Sequence, residues 1–426
     1  MDYFKADLPG IEKIKLPTVI KIRQRIPDNG LVNVDTRVKD EMIRVGLKGL
    51  LNKGPRVAIA VGSRKIDKLE KVVRTLIREV KRSGGTPFIV PAMGSHGGGD
   101  AKGQERVLEA YGITEDLMGA PVISSMEVVS LGKSPNGYPA YMDRKAHDAD
   151  AIIVVNRVKV HTDFAGDVES GLLKMLAIGL GNSRAPAKLH SYGFKRFPEL
   201  VPEVGQHVLQ KSPVIMGVAL VENGHDRLCH VEAILPDKIW DREKELLKKQ
   251  KRLLPRIPFP SLDILFVDEM GKDISGSGLD TNVIGRAKSA NTECKLIIVS
   301  KLTPASAGNA SGMGMVDIVT RRFLKEIDFS ATYTNVLISG LLWDTKLPMV
   351  LENDETSIRT AMAFLGLGEK KVRFVRIKNT LELAEMEVTE PLLREVEKNT
   401  GIEVVGDLAA MRADPSGNLL GYPYEG

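Results

Sequence analysis

The sequence predicts an α/β protein of two lobes, each with a mostly parallel sheet flanked by helices. Short apolar runs of strand length alternate along the chain with segments whose apolar residues recur at helical spacing. The strand-like runs are apolar at successive positions, which is typical of parallel strands that are buried on both faces. The 40 glycines and 22 prolines follow no repeat, so a solenoid is not indicated.

The first α/β unit is predicted near the N terminus. Residues 56–61 form an apolar run that indicates a strand, and residues 69–80 carry apolar side chains at helical spacing. Residues 87–91 indicate the next strand, and residues 105–111 the next helix. Two strands joined through a helix pair in parallel, so we expect the carboxyl ends of these strands to share one edge of a sheet.

Further elements continue this alternation. Strands are predicted at residues 151–155 and 214–221, followed by a long charged helix over residues 237–252, and the basic run at residues 244–256 indicates a solvated helix that ends at a proline. Three prolines in residues 253–263 indicate a hinge. A second α/β unit is predicted from strands at residues 264–267 and 295–300 and helical patterns at residues 315–326 and 357–365.

These features predict the domain limits. We expect an N-terminal domain of residues 1–258, a C-terminal domain of residues 259–405, and a polar tail of residues 406–426. Ligand pockets often lie between domains, so the active site is expected in the cleft between the two lobes.

The composition excludes several classes of protein. The formal net charge is +5 with acids and bases interleaved, and aromatic residues make up 5%, so nucleic-acid binding is not indicated. No window approaches the roughly 18 unbroken apolar residues of a membrane span. The start, MDYFKADLPG, lacks the apolar region of a signal peptide, and two cysteines favour a reducing compartment. We therefore expect a cytoplasmic protein.

The most informative segment is HTDFAGDVESGLLKMLAIGLGNSRAPAKLH, which begins at His161 and ends at His190. It follows a predicted strand, and loops at strand ends commonly carry the chemistry of α/β proteins. Lys174 stands within its helical part among apolar residues. A lysine in such surroundings either extends its ammonium group to solvent or is held for use as a nucleophile.

A second glycine-rich loop, GSHGGGDAKGQ, follows the strand predicted at residues 87–91 and carries His96. The chain has seven histidines, and three of them lie in these two loops, which favours a shared function over surface placement. A pair of histidines is suited to moving protons near neutral pH. His96 and His161 are therefore candidate acid–base residues, although both could instead satisfy backbone groups of their loops.

Together these motifs resemble the nickel-pincer lactate racemase family, whose members racemise or epimerise 2-hydroxy acids. In that family a histidine precedes Phe-Ala-Gly, a lysine follows, and a second histidine lies 16 residues past the lysine. His161, residues 164–166, Lys174 and His190 reproduce this order and the 16-residue step. His96 resembles the family's other catalytic histidine.

Two further positions extend the resemblance over most of the chain. Arg64, after the first strand, resembles the substrate-side arginine of the family. In the C-terminal half, the triplet at residues 272–274 resembles the family's cleft loop.

The resemblance implies a cofactor, pyridinium-3,5-bisthiocarboxylic acid mononucleotide carrying nickel, in a covalent thioamide with Lys174. It implies that His190 is the protein ligand to nickel, and that Gly166, Ser183 and Arg184 contact the cofactor. The phosphate of a mononucleotide suits a glycine loop before a helix. Residues 97–99 and 179–184 both qualify, and the sequence leaves the choice open.

The substrate side departs from the family pattern. Lactate racemases carry tyrosine, glutamine and lysine after the cleft-loop triplet, where this chain has Ser277, Gly278 and Thr281. We therefore expect a hydroxy acid that is larger or more polar than lactate, such as a dicarboxylate or a sugar acid. The residues expected to contact the substrate are Arg64, Lys272, Arg286 and Trp343.

Other functions stay open from the sequence. One alternative is an NAD-type dehydrogenase of a hydroxy acid, although no dinucleotide fingerprint accompanies the glycine loop. Another is a non-catalytic protein that binds a nucleotide or a sugar acid. His225, Cys229 and His230 could suggest zinc, but their spacing fits no standard zinc pattern. The expected partners are a small anionic hydroxy acid and the cofactor-biosynthesis proteins that load the chain.

Overall fold

The structure is a computed structural model, and it describes residues 9–51, 53–63, 65–162, 164–287 and 290–420, without the side chains of residues 338 and 339. The backbone divides into two compact units. The N-terminal unit is Pro27–Leu254, and the C-terminal unit joins the described residues from Pro255 onward with those that end at Ile26. Each unit is an α/β structure with helices against its sheet, so the predicted α/β class is confirmed.

The first strand of the chain lies in the C-terminal unit, which differs from the predicted domain limits. This strand, β1 (Thr18–Gln24), pairs antiparallel with strands at residues 385–389 and 402–404. Ile20 and Ile22 are buried in the core of that unit. Strand pairing between the two ends of a chain is decided by tertiary packing, and a local apolar pattern does not reveal it.

The N-terminal unit is built around one five-stranded sheet. The strands of the unit are β2 (Arg56–Val61), β3 (Thr86–Pro91), β4 (Val128–Lys133), β5 (Pro139–Asp143), β6 (Ala151–Arg157), β7 (Val214–Glu222) and β8 (Leu228–Ile234). The order is β3-β2-β6-β7-β8, in which β8 is antiparallel to β7 and the other pairs are parallel. β4 and β5 form a separate antiparallel pair.

Helices cover both faces of this sheet. They are α1 (Val34–Arg44), α2 (Leu47–Leu50), α3 (Leu69–Arg82), α4 (Ala101–Ala110), α5 (Glu115–Met118), α6 (Arg144–His147), α7 (Leu172–Ala177), α8 (Arg184–His190), α9 (Phe197–Gln210) and α10 (Ile239–Leu253). Ala58 and Ala60 of β2 face a core shared with α7, α9 and α10. Val57, Ile59 and Val61 face the opposite core with α1 and α3. This two-sided burial explains the unbroken apolar run of β2.

The C-terminal unit is built around one larger sheet. Its remaining strands are β9 (Ser261–Met270), β10 (Glu293–Leu302), β11 (Ile318–Thr320), β12 (Met349–Leu351), β13 (Phe374–Ile377), β14 (Glu385–Thr389), β15 (Ile402–Val404) and β16 (Ala409–Ala410). Its helices are α11 (Arg321–Lys325), α12 (Phe329–Ser339), α13 (Asp354–Leu365) and α14 (Leu393–Val396). The order is β12-β11-β10-β9-β13-β14-β1-β15, and β16 pairs with β1.

The two halves of this sheet differ in strand direction. β12, β11, β10, β9 and β13 are mutually parallel, whereas β14, β1, β15 and β16 are joined by antiparallel pairs. The carboxyl ends of the parallel strands therefore share one edge. Buried side chains cover both faces of the parallel half, in agreement with its apolar sequence runs.

One predicted helix of this unit is wrong in its first half. Residues 315–326 were expected to be helical, but Ile318 and Val319 lie in β11 and pair in parallel with Ile298 and Val299. Both residues are β-branched and buried, and sheet packing outweighs their helical spacing. Only Arg321–Lys325 is helical.

The described part of the predicted tail is also integrated into the C-terminal unit. β16 pairs with β1, and the amide of Leu419 donates to Asp354 Oδ2 at 2.8 Å. Residues 421–426 lie outside the described residues. Within the described residues, every helix is too short or too polar to cross a membrane.

Candidate active site

The candidate site lies at one edge of the sheet in the N-terminal unit. β3, β2, β6 and β7 are parallel, so their carboxyl ends meet at that edge. The chain passes from β2 to β3 on one side and then crosses to β6 on the other side of β2. Open α/β sheets bind ligands where connections diverge in this way. The loops that follow β3 and β6 carry His96 and His161.

His96 is exposed in the glycine loop after β3. Its Nδ1 shares a hydrogen bond with Oγ of Ser63, which lies just after β2. Its amide donates to the carbonyl of Met93 at 3.1 Å. These contacts hold the imidazole beside the neighbouring strand. Arg64, the predicted substrate-side arginine, lies outside the described residues.

The glycines of this loop permit close packing against α4. Gly97 has a φ of 68°, in the left-handed region that favours glycine. A Cβ on Gly103 would lie 1.7 Å from the carbonyl oxygen of Gly97. Asp100 Oδ1 accepts from the amide of Gly103 at 2.9 Å and begins the helix. The first turn of α4 therefore fixes the segment that carries His96.

A buried carboxylate organises the loop of His161. Glu169 is 2% exposed, and its oxygens accept from the amide of His161 at 2.7 Å and the amide of Gly166 at 3.3 Å. The ammonium group of Lys251 neutralises it from α10 at 2.7 Å. The amide of Gly166, a predicted cofactor residue, thus donates to Glu169 within the same loop. Glu169 could not be predicted from the sequence, because nothing local marks an acid as buried.

The structure brings His161 and His190 to one aromatic cluster, which we define as these two residues with Phe164, Phe194 and Phe197. The ring centroids of His161 and Phe164 are 4.5 Å apart. His190 lies 5.4 Å from Phe194 and 5.3 Å from Phe197. Phe194 and Phe197 were not predicted from the sequence. A phenylalanine is usually core, and only their position after His190 hints at this role.

The ammonium group of Lys174 interacts electrostatically with His190 of this cluster. Every other residue of α7 is buried, whereas Lys174 is half-buried. Burial lowers the pKa of His190, and the positive charge of Lys174 lowers it further. The imidazole is therefore neutral at pH 7, which is the form that ligates metals. Two predicted residues that are 16 positions apart in sequence thus lie within electrostatic reach.

The helix that carries Lys174 is capped from α10. Glu243 is 0% exposed, and its Oε2 accepts from the amide of Leu173 at 3.0 Å. Burial raises the pKa of Glu243 to about 7, although hydrogen bonds from the amides of Leu173 and Leu172 oppose that rise. A Cβ on Gly171 would lie 2.2 Å from Oε1 of this carboxylate. The packing leaves room only for glycine there.

The prediction of a solvated helix over residues 244–256 is wrong for one face of α10. Leu246, Leu247 and Gln250 are each 2% exposed, because this face packs on the sheet. That buried face begins at Ile239, and Glu243 lies on it one turn later. An acidic residue is normally exposed, so the sequence pattern did not indicate that Glu243 is buried.

The two candidate phosphate segments, residues 97–99 and 179–184, lie side by side. The amide of Gly94 donates to the carbonyl of Gly179 at 2.9 Å. A Cβ on Gly99 would lie 3.9 Å from the Cβ of Ser183. The two segments that the sequence left as alternatives for the phosphate are therefore neighbours in the structure. Ser183, in the second segment, is half-buried.

Asn182 leaves an unmet acceptor in this segment. It is fully buried with a φ of 48° and a ψ of −147°, which lies outside the left-handed helical region and is a strained conformation for a residue with a side chain. Its Nδ2 donates to Asp143 Oδ2 at 2.8 Å and to the carbonyl of Ser125 at 2.9 Å. Among the described residues, no donor reaches its Oδ1. Arg184, the predicted cofactor residue beside it, is exposed and lies 5.1 Å over the ring of Tyr141.

Lys272 lies in the C-terminal unit, directly after β9 at the carboxyl edge of the parallel strands. Its amide donates to Ser306 Oγ at 2.9 Å, and its ammonium group donates to the carbonyl of Gly276. Ser277 and Thr281, which the sequence analysis places after the predicted cleft loop, are both 5% exposed. These short side chains pack within the loop.

Arg286 and Trp343 occupy different settings in the C-terminal unit. The guanidinium of Arg286 forms contacts with Asp317 Oδ2 at 2.6 Å, the carbonyl of Cys294 at 2.9 Å and the carbonyl of Met315 at 3.2 Å. This arginine therefore has a structural function in the fold. Trp343 is 44% exposed on a short 3-10 helix, Leu342–Thr345.

In the parts of the chain that the structure describes, no three His, Cys, Asp or Glu side chains are arranged to hold a metal ion. The HDRLCH segment fits this finding. Nε2 of His230 forms a hydrogen bond with Glu232 at 3.1 Å, and Cys229 Sγ donates to the carbonyl of Val221. The zinc alternative is therefore not supported for these residues.

Residues 23–196 match the family model described as the lactate racemase N-terminal domain. This segment contains His96, His161, Lys174 and His190. No curated protein sequence matches the chain significantly.

Two solved structures are similar to this chain. The lactate racemase apoprotein from Thermoanaerobacterium thermosaccharolyticum is 13% identical, with 88% of this chain and 85% of that chain covered and a TM-score of 0.48. A protein from Thermotoga maritima is also 13% identical, with 74% of this chain and 84% of that chain covered and a TM-score of 0.49.

Proposed function

We propose, from the match of residues 23–196 to the lactate racemase N-terminal domain model, that this chain is an isomerase that racemises or epimerises a 2-hydroxy acid. One observation carries the proposal. Lys174 and His190 lie within electrostatic reach, and His190 and His161 contact one aromatic cluster at the edge of a parallel sheet. His96 follows a neighbouring strand at the same edge.

The two histidines supply the proton chemistry of this proposal. Inversion at a carbon that bears a hydroxyl group requires a base at the hydroxyl oxygen for each hand of the substrate. His161 takes the hydroxyl proton of one enantiomer, and protonated His96 gives a proton to the oxygen as the other enantiomer forms, with the two roles exchanged in the reverse direction. Imidazole is suited to both steps because its ordinary pKa lies near neutral pH.

The residues present fit the nickel-pincer nucleotide that the family resemblance implies. The amine of Lys174 would hold it covalently, and the half-buried imidazole of His190 suits nickel as a nitrogen ligand. Gly166, Ser183 and Arg184 would contact the nucleotide, beside the unmet acceptor of the 179–184 segment. When bound, the group supplies the hydride acceptor that racemisation needs.

The substrate contacts are proposed residue by residue, as the sequence predicted them. Arg64 and Lys272 are the candidates for the substrate carboxylate, since the guanidinium of Arg286 is committed to the fold. Trp343, which is exposed, is kept as a candidate apolar contact for the substrate. The short residues at positions 277, 278 and 281 favour a hydroxy acid that is larger or more polar than lactate.

The setting of the reaction follows from the same proposal. We place the protein in the cytoplasm, on the basis of its two cysteines, both free thiols in the structure. Its partners would be the small anionic substrate and the proteins that make and load the cofactor.

The test is the intact mass of the chain produced together with the cofactor-making enzymes and nickel. We expect the mass of the pyridinium nucleotide on the wild type and on Lys188→Ala, which removes an exposed lysine of α8 as the matched control. Lys174→Ala should carry no adduct. His190→Ala should keep the adduct and lose nickel, measured by metal analysis of the same samples.

An unmodified mass in every sample would overturn the tethered cofactor. The dehydrogenase alternative would then be supported by turnover of hydroxy acids with added NAD, and the binding-protein alternative by ligand binding without turnover. Chiral chromatography of a hydroxy-acid panel identifies the substrate, and turnover of lactate alone would contradict the proposed preference.

A further inference from the structure

We propose that Glu243 is a positioning residue for Lys174 and acts through the first amides of α7. The inference rests on the proposed function, because it concerns the lysine that we assign to the cofactor. Glu243 lies in α10, 69 positions after Lys174, and the family resemblance assigns it nothing.

The helix that carries Lys174 requires an external cap. α7 has six residues, and a helix of that length is not stable alone in water. The first amides of any helix have no partner within it. Its preceding residue, Gly171, has no side chain to cap them, and Oε2 of Glu243 takes the amide of Leu173 at 3.0 Å instead.

The fit between Glu243 and the start of α7 is close, although among the described residues no donor reaches Oε1 of the carboxylate. The carboxylate is 0% exposed, so it has no route to solvent. A Cβ on Gly171 would lie 2.6 Å from its Cδ and 2.2 Å from its Oε1. The carboxylate therefore sets the position of the backbone one turn before Lys174.

The same helix also holds the segment of His161. Gln250 Oε1 accepts from the amide of Val160 at 3.2 Å, and Lys251 pairs with Glu169 at 2.7 Å. α10 thus fixes the backbone on both sides of the candidate site through polar contacts. Gln250 is 2% exposed and contacts the other segment, which makes it a matched control for Glu243.

The experiment measures lysine reactivity on the chain without cofactor. An acetylating N-hydroxysuccinimide ester is added at limiting concentration, and peptide mass spectrometry gives the labelling of Lys174 relative to exposed Lys188. Glu243→Ala should raise this ratio about tenfold, because the uncapped first turn opens. Glu243→Gln keeps an acceptor oxygen and should return the ratio to within about twofold of wild type. Gln250→Ala should stay within the same range.

A ratio for Glu243→Ala that equals wild type would overturn the inference. So would equal effects of Glu243→Ala and Gln250→Ala, since general destabilisation would explain both. If Glu243→Ala does not fold, Glu243→Asp replaces it. Aspartate keeps the carboxyl group but is one carbon shorter, so it should raise the ratio as alanine does, and a wild-type ratio would be contrary evidence.

A second measurement is the amount of covalent adduct on the chain loaded with cofactor. When produced with the cofactor-making enzymes and nickel, Glu243→Ala should carry about one tenth of the wild-type adduct, and Glu243→Gln should carry nearly the wild-type amount. A failure of the proposed function is distinguishable. The wild type would then carry no adduct, while the labelling ratios of the cofactor-free chains would still respond to Glu243.

Discussion

Replacing Gly171 by alanine places a methyl group where a buried carboxylate stands. The new Cβ would lie 2.2 Å from Oε1 of Glu243 and 2.6 Å from its Cδ. The carboxylate has no route to solvent, and moving it breaks its hydrogen bond with the amide of Leu173. The φ of Gly171 is 177°, which alanine adopts without strain, so the cost comes from the contact with Glu243.

The magnitude follows from opposing contributions. Overpacking of a core costs about 1–3 kcal/mol, and loss of the hydrogen bond adds about 1 kcal/mol. Alanine recovers about 0.4–1 kcal/mol by restricting the unfolded chain. We expect Gly171→Ala to lose about 1–3.6 kcal/mol of unfolding free energy, which lowers the melting temperature of a unit of this size by about 2–14 °C.

The assay is urea unfolding followed by tryptophan fluorescence. The chain has two tryptophans, Trp240 in α10 and Trp343 in the C-terminal unit, so Trp343→Phe leaves a reporter of the N-terminal unit. Gly49→Ala is the matched control. No atom lies within 4 Å of its new Cβ, and alanine is a better helix former, so stability should be unchanged or slightly higher.

A double-mutant cycle decides whether the contact is the cause. With Glu243→Ala as the background, the methyl group of Gly171→Ala has space, and we expect its cost to fall to within about 0.5 kcal/mol of zero. An equal cost of Gly171→Ala in both backgrounds would refute the reasoning.

Two further predictions concern buried acids. Glu169→Ala removes the acceptor of the His161 amide, so hydrogen exchange of residues 161–166 should quicken about tenfold or more, and exchange at the wild-type rate would contradict it. The pKa of Glu243 is raised from 4.5 to about 7, so its contribution to stability is present below pH 4.5 and is lost as pH rises through 7, at most about 3 kcal/mol. Glu243→Gln should flatten the unfolding free energy over this window, whereas Glu245→Gln, exposed on the same helix, should keep the wild-type slope.

The fold class and several elements could be predicted from the sequence because burial on both faces leaves a local trace. The unbroken apolar runs of β2, β3 and β6 belong to parallel strands between two helical layers. The helical spacing of residues 69–80 marks α3, whose apolar side faces one core. By contrast, the local pattern of β11 predicts helix, and β1 and β11 are strands only through partners that are distant in sequence.

The candidate site divides in the same way. The sequence by itself determined which residue types were available, since His96, His161, Lys174 and His190 stand in motifs that can be read locally. Only the tertiary structure decided which of them meet, because electrostatic reach and ring contacts depend on positions in space. The tertiary structure also decided which acidic residues are buried beside the candidate site. Glu169 and Glu243 resemble surface residues in the sequence, and burying a carboxylate is acceptable only where amides or a cation from distant segments converge on it.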